Sequence, residues 1–555
     1  MKLLLLLLRS SKKLALLTIL FGALSGAASA SLVGIINKAL NPEADSSVTD
    51  IALPFVGLTL GTLFTRMGSN FLLNMLQQDI LLNLRLWLSR HLLTTPLRTM
   101  EEAGAHRMLT SLMQDIITLG LGVSAMPEVL INAAVVLAGL CYMAWLSWPL
   151  FLLILGVLVV GQILYAVPAG IGTRFQMMAR EQNGILFRKF MALTEGAKEL
   201  RLHRSRRRAY YDEELTTNAR ALRQKHLKSE NFFAIANGLG SLIYIAVIGV
   251  LLLVIPRFTT LSHAELLGAV LVVLYLQQPI NVVTSMIPHV RRSEVAISQI
   301  EKLGAKLTPE STLVKTLSEN LPAQETPRDF ERIDVVGVTH TYKNEKDNEK
   351  FTVGPISTSL SKGELVFIIG GNGSGKTSFA KLLTGLYMPE AGEILVDGKT
   401  VTTETLDDYR QHFSAIFFDF HVFDRLLGLS SPDLLEKAAG YLKELQIDHK
   451  VTIGKDGKLS TTTLSQGQRK RLALLAAYLE DRPVYLFDEW AADQDPQFRE
   501  VFYKKILPDL KARGKAVVVI SHDDRYFHLG DRILQLEFGQ VVSDARPAEK
   551  RAVSA

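Results

Sequence analysis

The chain has 555 residues, of which 48% are hydrophobic and 21% charged, and its mean hydropathy of +0.20 is high for a soluble protein. The length allows two or three domains. The single cysteine, Cys141, lies in an apolar run, which excludes a disulfide framework and a cysteine-based metal site. The net charge of +6 would suit a nucleic-acid partner by itself, but the basic residues sit where they would orient a membrane protein, so no nucleic acid is expected.

A membrane-crossing helix needs about 20 mainly apolar residues. Six segments qualify, at 14–38, 51–75, 123–145, 147–169, 233–256 and 264–287. The first follows a basic start, and "MKLLLLLLRSSKKLALLTILFGALSGAASA" also has the form of a cleavable leader. Its apolar run continues through "SLVGIIN", longer than a leader core, which favours a retained span. The link after the first span, "NPEADSSVTD", is acidic, whereas the link between spans four and five is densely basic from Arg174 to Lys228. Arg291 and Arg292 follow span six. Basic even-numbered links place both termini in the cytoplasm. Residues 76–122 and 170–232 keep a helical period, so four membrane helices are expected to continue into the cytoplasm as two long hairpins. The spans hold few ionisable groups, which argues against a proton relay. Asn132, Gln162, Asn237, Tyr275, Gln277, Gln278 and Asn281 are the polar candidates for a central cavity, or for hydrogen bonds between helices.

The composition changes beyond the last span. Residues 1–305 read as a membrane domain, 306–329 as a linker, 330–545 as a soluble α/β domain and 546–555 as a disordered tail. Within the soluble part, "ELVFII" reads as a buried strand and "TSFAKLLTGL" as a helix, with a glycine-rich turn between them. Gly370, Gly371, Asn372, Gly373, Ser374, Gly375, Lys376, Thr377 and Ser378 form that turn and fit the phosphate-loop pattern. Glycines let backbone N–H groups wrap phosphates, and the helix N-terminus favours negative charge. Lys376 is placed to reach the outer phosphates of ATP, and the Thr377 hydroxyl to ligate Mg²⁺. A second apolar strand, "VYLF", ends in Asp488 and Glu489. Asp488 suits the metal carboxylate, and Glu489 the base that polarises an attacking water.

Between these motifs stands "TLSQGQRKRLALL", in which Leu464, Ser465, Gly467 and Gln468 match the L-S-x-G-Q signature. The order of motifs over 330–545 resembles ATP-binding cassette proteins. The resemblance implies that Tyr342 stacks on adenine, that Asp495 is the aspartate of the D-loop, and that His522 in "VVVISHDD" is the switch histidine at the γ-phosphate. It also implies a homodimer, in which Ser465 and Gly467 of one copy close over ATP held by the other. One departure stands out. The family's glutamine at the loop between the two subdomains is replaced by Phe418 in "AIFFDFHVFD", and Asp419 is the candidate to take over its metal contact. "WAADQD" is a further unusual stretch, with Trp490 and Asp493 in place of small residues.

Six spans ahead of one cassette, with long cytoplasmic hairpins, resemble the type IV exporter fold: a membrane all-α six-span domain followed by an α/β ATP-binding cassette. "GAHRMLTSLMQDIITL" and "GAKELRLHRSRRRAYYDEEL" look like its coupling segments. "FSAIFFDFHVFDRLLGL", "GAKELRLHR" and "DEWAADQDP" resemble the cyclic-peptide exporter branch, with its syringomycin-type and pyoverdine-type members. By resemblance, the chain is an ATP hydrolase of the bacterial inner membrane. It would move a non-ribosomal peptide or siderophore precursor to the periplasm, where a periplasmic or outer-membrane partner would receive it. Siderophore import and lipid flipping by the same fold are the rival readings, and a nucleotide-gated channel or non-transporting regulatory subunit is a third, against which Glu489 argues.

Overall fold

A computed structural model describes residues 12–40, 48–104, 108–109, 111–257, 262–306, 310, 313–314, 329–343, 350–429 and 433–546. The expected linker therefore lies outside the described residues except for 306, 310, 313–314 and 329, as does the expected tail beyond Arg546. The chain divides into two units. The first comprises Met1–Arg85 with Thr110–Glu301, and the second Leu86–Leu109 with Lys302–Ala555.

The first unit is helical. Its main helices are α1 (Lys12–Leu40), α2 (Val48–Thr94, which runs on into the second unit), α4 (Ile116–Leu146), α5 (Trp148–Glu195), α6 (Thr217–Gly249) and α7 (His263–Lys306); the short α3 (Leu97–Ala103) belongs to the second unit. Six helices among the described residues are long and apolar enough to cross a bilayer. The expected spans fall inside them to within a residue, the fifth lying in the continuous helical run Arg204–Arg257, which extends past the end of α6. With 47 and 48 residues, α2 and α5 are well beyond the ~20 residues that a bilayer requires, in keeping with the long hairpins.

Small residues let these helices approach closely. A Cβ on Gly22 of α1 would lie 2.3 Å from Ile131 of α4, and one on Gly122 of α4 would lie 1.8 Å from the Ser293 hydroxyl of α7. That hydroxyl donates to the carbonyls of Thr118 and His289 at 2.8 and 2.9 Å. Polar clasps join α5 to α6 beyond the apolar spans. Gln182 donates to Asn218 and accepts from Lys225, both at 2.8 Å, and Phe175 stacks on Phe232. Proline interrupts α2, α4, α5 and α7 internally, which membrane helices tolerate because neighbouring groups take up the freed carbonyls.

The second unit carries two sheets. Strands β1 (Arg332–Lys343), β2 (Lys350–Ser361), β4 (Ala391–Val396) and β5 (Lys399–Thr400) form an antiparallel sheet in the order β2-β1-β4-β5. Strands β3 (Leu365–Ile369), β6 (Phe413–Ile416), β7 (Val484–Asp488), β8 (Ala516–Ile520), β9 (Arg532–Glu537) and β10 (Gln540–Ala545) form the other, ordered β10-β9-β3-β8-β7-β6. All neighbours in it pair in parallel except β9 and β10. Strands β7 and β8 are buried at every position, as covering on both faces demands, and this explains their apolar runs, broken only by Asp488 at the end of β7.

The register positions the chemistry. Ile520 at the end of β8 pairs with Ile368 on one side and Asp488 on the other. The carboxyl ends of β3, β8 and β7 therefore stand side by side, at the edge where such sheets bind ligands.

Candidate active site

The glycine-rich turn joins β3 to helix α8 (Lys376–Leu383). Gly370, Gly373 and Gly375 have φ of 151°, 76° and 96°, and a Cβ on Gly370 would lie 2.2 Å from the Leu536 carbonyl. Only glycine combines that backbone with that approach. The Lys376 ammonium is buried and donates to the carbonyls of Gly370 and Gly371, each at 2.9 Å. Burial pushes its pKa down, opposed by Glu489 and Asp488. The Ser374 hydroxyl is buried without a partner. An orphaned donor beside a glycine cradle fits a phosphate oxygen.

Asp488 is 1% exposed and accepts from the Thr377 hydroxyl at 2.9 Å. Burial raises its pKa, while the hydrogen bonds from Thr377 and from the Phe418 backbone N–H hold it down. Among the described residues, no group of three or more His, Cys, Asp or Glu could cage a metal. One hydroxyl and one carboxylate suit Mg²⁺, which is commonly shared between a few protein oxygens and phosphate. Asp419, beside the exposed Phe418, is itself exposed.

Glu489 follows β7 with φ 49° and ψ 34°, a left-handed backbone that is uncommon outside glycine. Its N–H donates to the Ile520 carbonyl at 3.0 Å, and its Oε1 lies 3.3 Å from His522 Nε2. A cavity of about 340 Å³ opens beside this pair, lined also by Arg499, Ser521 and Arg525.

The signature opens helix α9 (Gln466–Glu480). Ser465 caps it: its hydroxyl accepts from the Gln468 N–H at 3.4 Å, and the Gln468 side chain accepts from the Ser465 N–H at 3.3 Å. This reciprocal cap satisfies two otherwise free donors. Gly467 lies where a Cβ would stand 2.6 Å from the Asp493 carbonyl. Asp495 caps the next helix, α10 (Pro496–Val501), accepting from the Phe498 N–H at 2.9 Å and pairing with Arg471. The Phe498 N–H and Arg471 hold its carboxyl below the usual range.

The structure thus brings Gly370 to Ser378, Asp488, Glu489 and His522 to one sheet edge. It groups Ser465, Gly467, Gln468 and Asp495 around the turn after β7.

A family model described as "ABC transporter" matches residues 353–492, and one described as "ABC transporter transmembrane region" matches 13–279. Over 534 residues the chain is 36% identical to "ATP-binding protein SyrD" of Pseudomonas syringae pv. syringae, covering 96% of this chain and 94% of the relative. This chain belongs to the ABC transporters. It is a multi-pass membrane protein whose cassette hydrolyses ATP in a cycle coupled to transport. The "ATP-dependent lipid A-core flippase" of Vibrio cholerae is 24% identical over 90% of this chain and 86% of its own length. The solved "Structure of a bacterial Atm1-family ABC exporter with ATP bound" shares the fold, with a TM-score of 0.74 at 16% identity, over 99% of this chain and 96% of that one.

In this ABC transporter, helix α3 docks on the cassette within the second unit. Glu101 pairs with Lys381 at 2.8 Å and accepts from the Tyr387 hydroxyl. Arg98 pairs with Glu390 at 2.8 Å and reaches the Thr341 carbonyl at 3.4 Å. Burial first, and then Glu101, push the Tyr387 phenol far above its ordinary pKa. Tyr342 lies 6.0 Å from Tyr387, ring to ring. A bidentate pair between Arg410 and Glu310, at 2.7 and 3.2 Å, adds a second clasp. Among the described residues, Leu97–Ala103 makes these contacts with the cassette; it lies just upstream of the stretch 104–119 that the sequence suggests, of which 105–107 and 110 lie outside the described residues. The docking is carried by acid–base pairs scattered through the chain, and no local pattern marks them.

The membrane unit of the transporter holds a cavity of about 650 Å³. Gln162, Asn237, Gln278 and Asn281 line it, with Tyr165, Tyr244 and Thr284. Asn132 instead donates back to Glu128 on its own helix at 2.8 and 3.2 Å. Tyr275 packs into the apolar cluster of the bundle, and Gln277 is not part of the lining.

Sequence reading missed Lys470 and Arg471, which are buried at 0% and 9% exposure. The "RKR" run resembles a solvated face, since Lys and Arg are mostly exposed. The spacing of Lys470 with Leu474 and Ala477 was the available signal, because i, i+4 and i+7 share one helical face.

Proposed function

We propose that this ABC transporter is an exporter of the bacterial inner membrane, with both termini cytoplasmic, working as a homodimer. Its cargo is a cyclic or non-ribosomal peptide or a siderophore precursor, moved from cytoplasm to periplasm. The observation that carries the cargo class is the cavity lining. Amides and hydroxyls converge there, and none of the lining residues is Asp, Glu, Lys, Arg or His. About 650 Å³ falls within the range of small-molecule sites, and neutral amides match the donors and acceptors of a peptide backbone. The similarity to "ATP-binding protein SyrD" supports the same branch.

In the cassette, the backbone of Gly370 to Gly375 and Lys376 hold the ATP phosphates, with Ser378 on the first turn of α8 behind them and Tyr342 beside the adenine. Mg²⁺, when bound, neutralises developing phosphate charge, and Thr377 and Asp488 are the residues that hold it. Asp419 is the carboxylate that stands in for the missing glutamine. Glu489 takes the proton of the attacking water, and His522 orients Glu489 and meets the γ-phosphate. Ser465, Gly467 and Gln468 close over the nucleotide of the second copy, with Asp495 bracing the turn beside them.

The flippase relatives favour lipid transport as a second reading. A phosphorylated lipid headgroup would seek cationic partners, and the cavity lining offers none. Inside-out vesicles carrying the full chain separate the readings. Accumulation of a labelled cyclic peptide inside them on ATP addition is expected. Exit of preloaded peptide, or lipid movement alone, would refute export of a peptide.

Coupling runs through α3. Lys381 belongs to the same helix that begins at Lys376, so the Glu101 contact lies one short helix away from the phosphate loop. Glu101→Ala is expected to leave ATP hydrolysis running while transport per ATP falls by about 5- to 10-fold. Parallel phosphate-release and vesicle-uptake assays check the ratio; an unchanged ratio removes α3 from the coupling path.

A further inference from the structure

Lys470 is a fully buried lysine in the signature helix, with two oxygen partners and an aromatic ring around its ammonium. Its Nζ donates to the Glu489 backbone carbonyl at 2.7 Å and pairs with Asp493 Oδ2 at 2.7 Å. The ammonium also lies over the Phe418 ring, 5.5 Å from its centroid. An ammonium offers three donors and no acceptor, and an aromatic face is an accepted third partner for it. Phe418 is the residue that stands where the family has glutamine, and its backbone N–H also supports Asp488.

Both peptide groups of Glu489 are thereby held. Its N–H is fixed by Ile520 of β8 at 3.0 Å, and its C=O by Lys470. That matters because Glu489 sits in the left-handed region at φ 49°, which a glutamate occupies only when its surroundings impose it. The same turn is tied to α9 by three more bonds. The Trp490 indole N–H donates to the Lys470 carbonyl at 3.0 Å, Gln494 donates to the Gly467 carbonyl at 3.1 Å, and Arg471 donates to Gln494 at 2.9 Å. Of the contacts from α9, the Lys470 ammonium alone touches Glu489.

We propose that Lys470 is a positioning residue for ATP hydrolysis: it holds the Glu489 backbone in its left-handed conformation and so aims the carboxylate, with Asp493 and Phe418 keeping the ammonium in place. This rests on Glu489 being the base. Misplacement of a reacting group by about 1 Å costs on the order of 10²-fold in rate. Loss of the clamp therefore lowers turnover without touching the phosphate cradle around Lys376.

The test uses the full-length transporter in lipid nanodiscs, with Lys470→Met and Asp493→Asn, each alone and each combined with Glu489→Gln. Lys470→Met is expected to lower kcat by about 10- to 100-fold while KM for ATP and equilibrium binding of a non-hydrolysable ATP analogue stay within about threefold. In the Glu489→Gln background it is expected to cost nothing more, because a residue acting through Glu489 has nothing left to aim. Asp493→Asn, at a partly exposed site, is expected to fold even if the buried change does not, and to lower kcat by about 3- to 10-fold with KM unchanged. Near-wild-type kcat in both variants overturns the proposal, as does a loss confined to KM or binding, or a loss that adds in full to that of Glu489→Gln. If Glu489→Gln itself turns over normally, the assignment of the base has failed. If it is dead while both clamp variants are active, only the role of Lys470 has.

Discussion

With Glu489 as the proposed base, Glu489→Gln is expected to lower the kcat of ATP hydrolysis by about 10²- to 10⁴-fold, the range a positioned general base supplies, while ATP affinity stays within about threefold. The expectation follows from the geometry. The amide keeps the size of the side chain and leaves the backbone bonds to Ile520 and Lys470 intact. It can accept a hydrogen bond but cannot take a proton. The 3.3 Å approach to His522 Nε2 survives as a neutral contact, so the change isolates the proton-accepting step. Steady-state phosphate release gives kcat, and binding of a non-hydrolysable ATP analogue gives affinity. A second readout is the assembly state. On the proposed homodimer reading, two copies are expected to stay closed over nucleotide once hydrolysis is stalled, so that cross-linking of the full chain reports a persistent dimer in ATP. Normal turnover would transfer the base role away from Glu489.

The phosphate loop, the carboxylate pair and the histidine were legible because each is a short motif at the end of an apolar strand. The parallel sheet then brings strand ends together whatever the length of chain between them. Ile520 pairing with both Ile368 and Asp488 is the physical form of that rule. The spans were legible for a similar reason, since a bilayer imposes length and composition on every crossing helix. What could not be read is set by contacts between distant positions. The Glu101–Lys381 pair joins residues 280 apart, and neither residue type nor local spacing marks either one. Lys470 was hidden by its chemistry: a lysine in "RKR" reads as surface, and only its partners at Glu489, Asp493 and Phe418 explain its burial. The left-handed backbone at Glu489 is likewise invisible in "DEW", because glutamate carries no conformational signature as glycine does.

Lys376→Ala has the largest expected effect on nucleotide binding. The ammonium is 6% exposed and donates to Gly370 and Gly371 at 2.9 Å each. Truncation therefore removes a phosphate counter-charge and also leaves two carbonyls of the loop without their donor. Losing one partner of a buried, hydrogen-bonded charge pair costs about 2–5 kcal/mol, which corresponds to a fall in ATP affinity of about 30- to 10³-fold or more. Burial already biases this lysine toward its neutral form, against the pull of Glu489 and Asp488. An arriving polyphosphate adds negative charge next to it and favours the ammonium, so binding energy and protonation point the same way. Lys376→Arg does not restore the site, because the planar guanidinium is larger and needs a fork of acceptors, whereas two neighbouring carbonyls suit a compact ammonium. Direct titration of the full chain with a fluorescent ATP analogue measures the loss. Affinity within threefold of wild type would mean that the backbone cradle and the start of α8 hold the phosphates without the lysine.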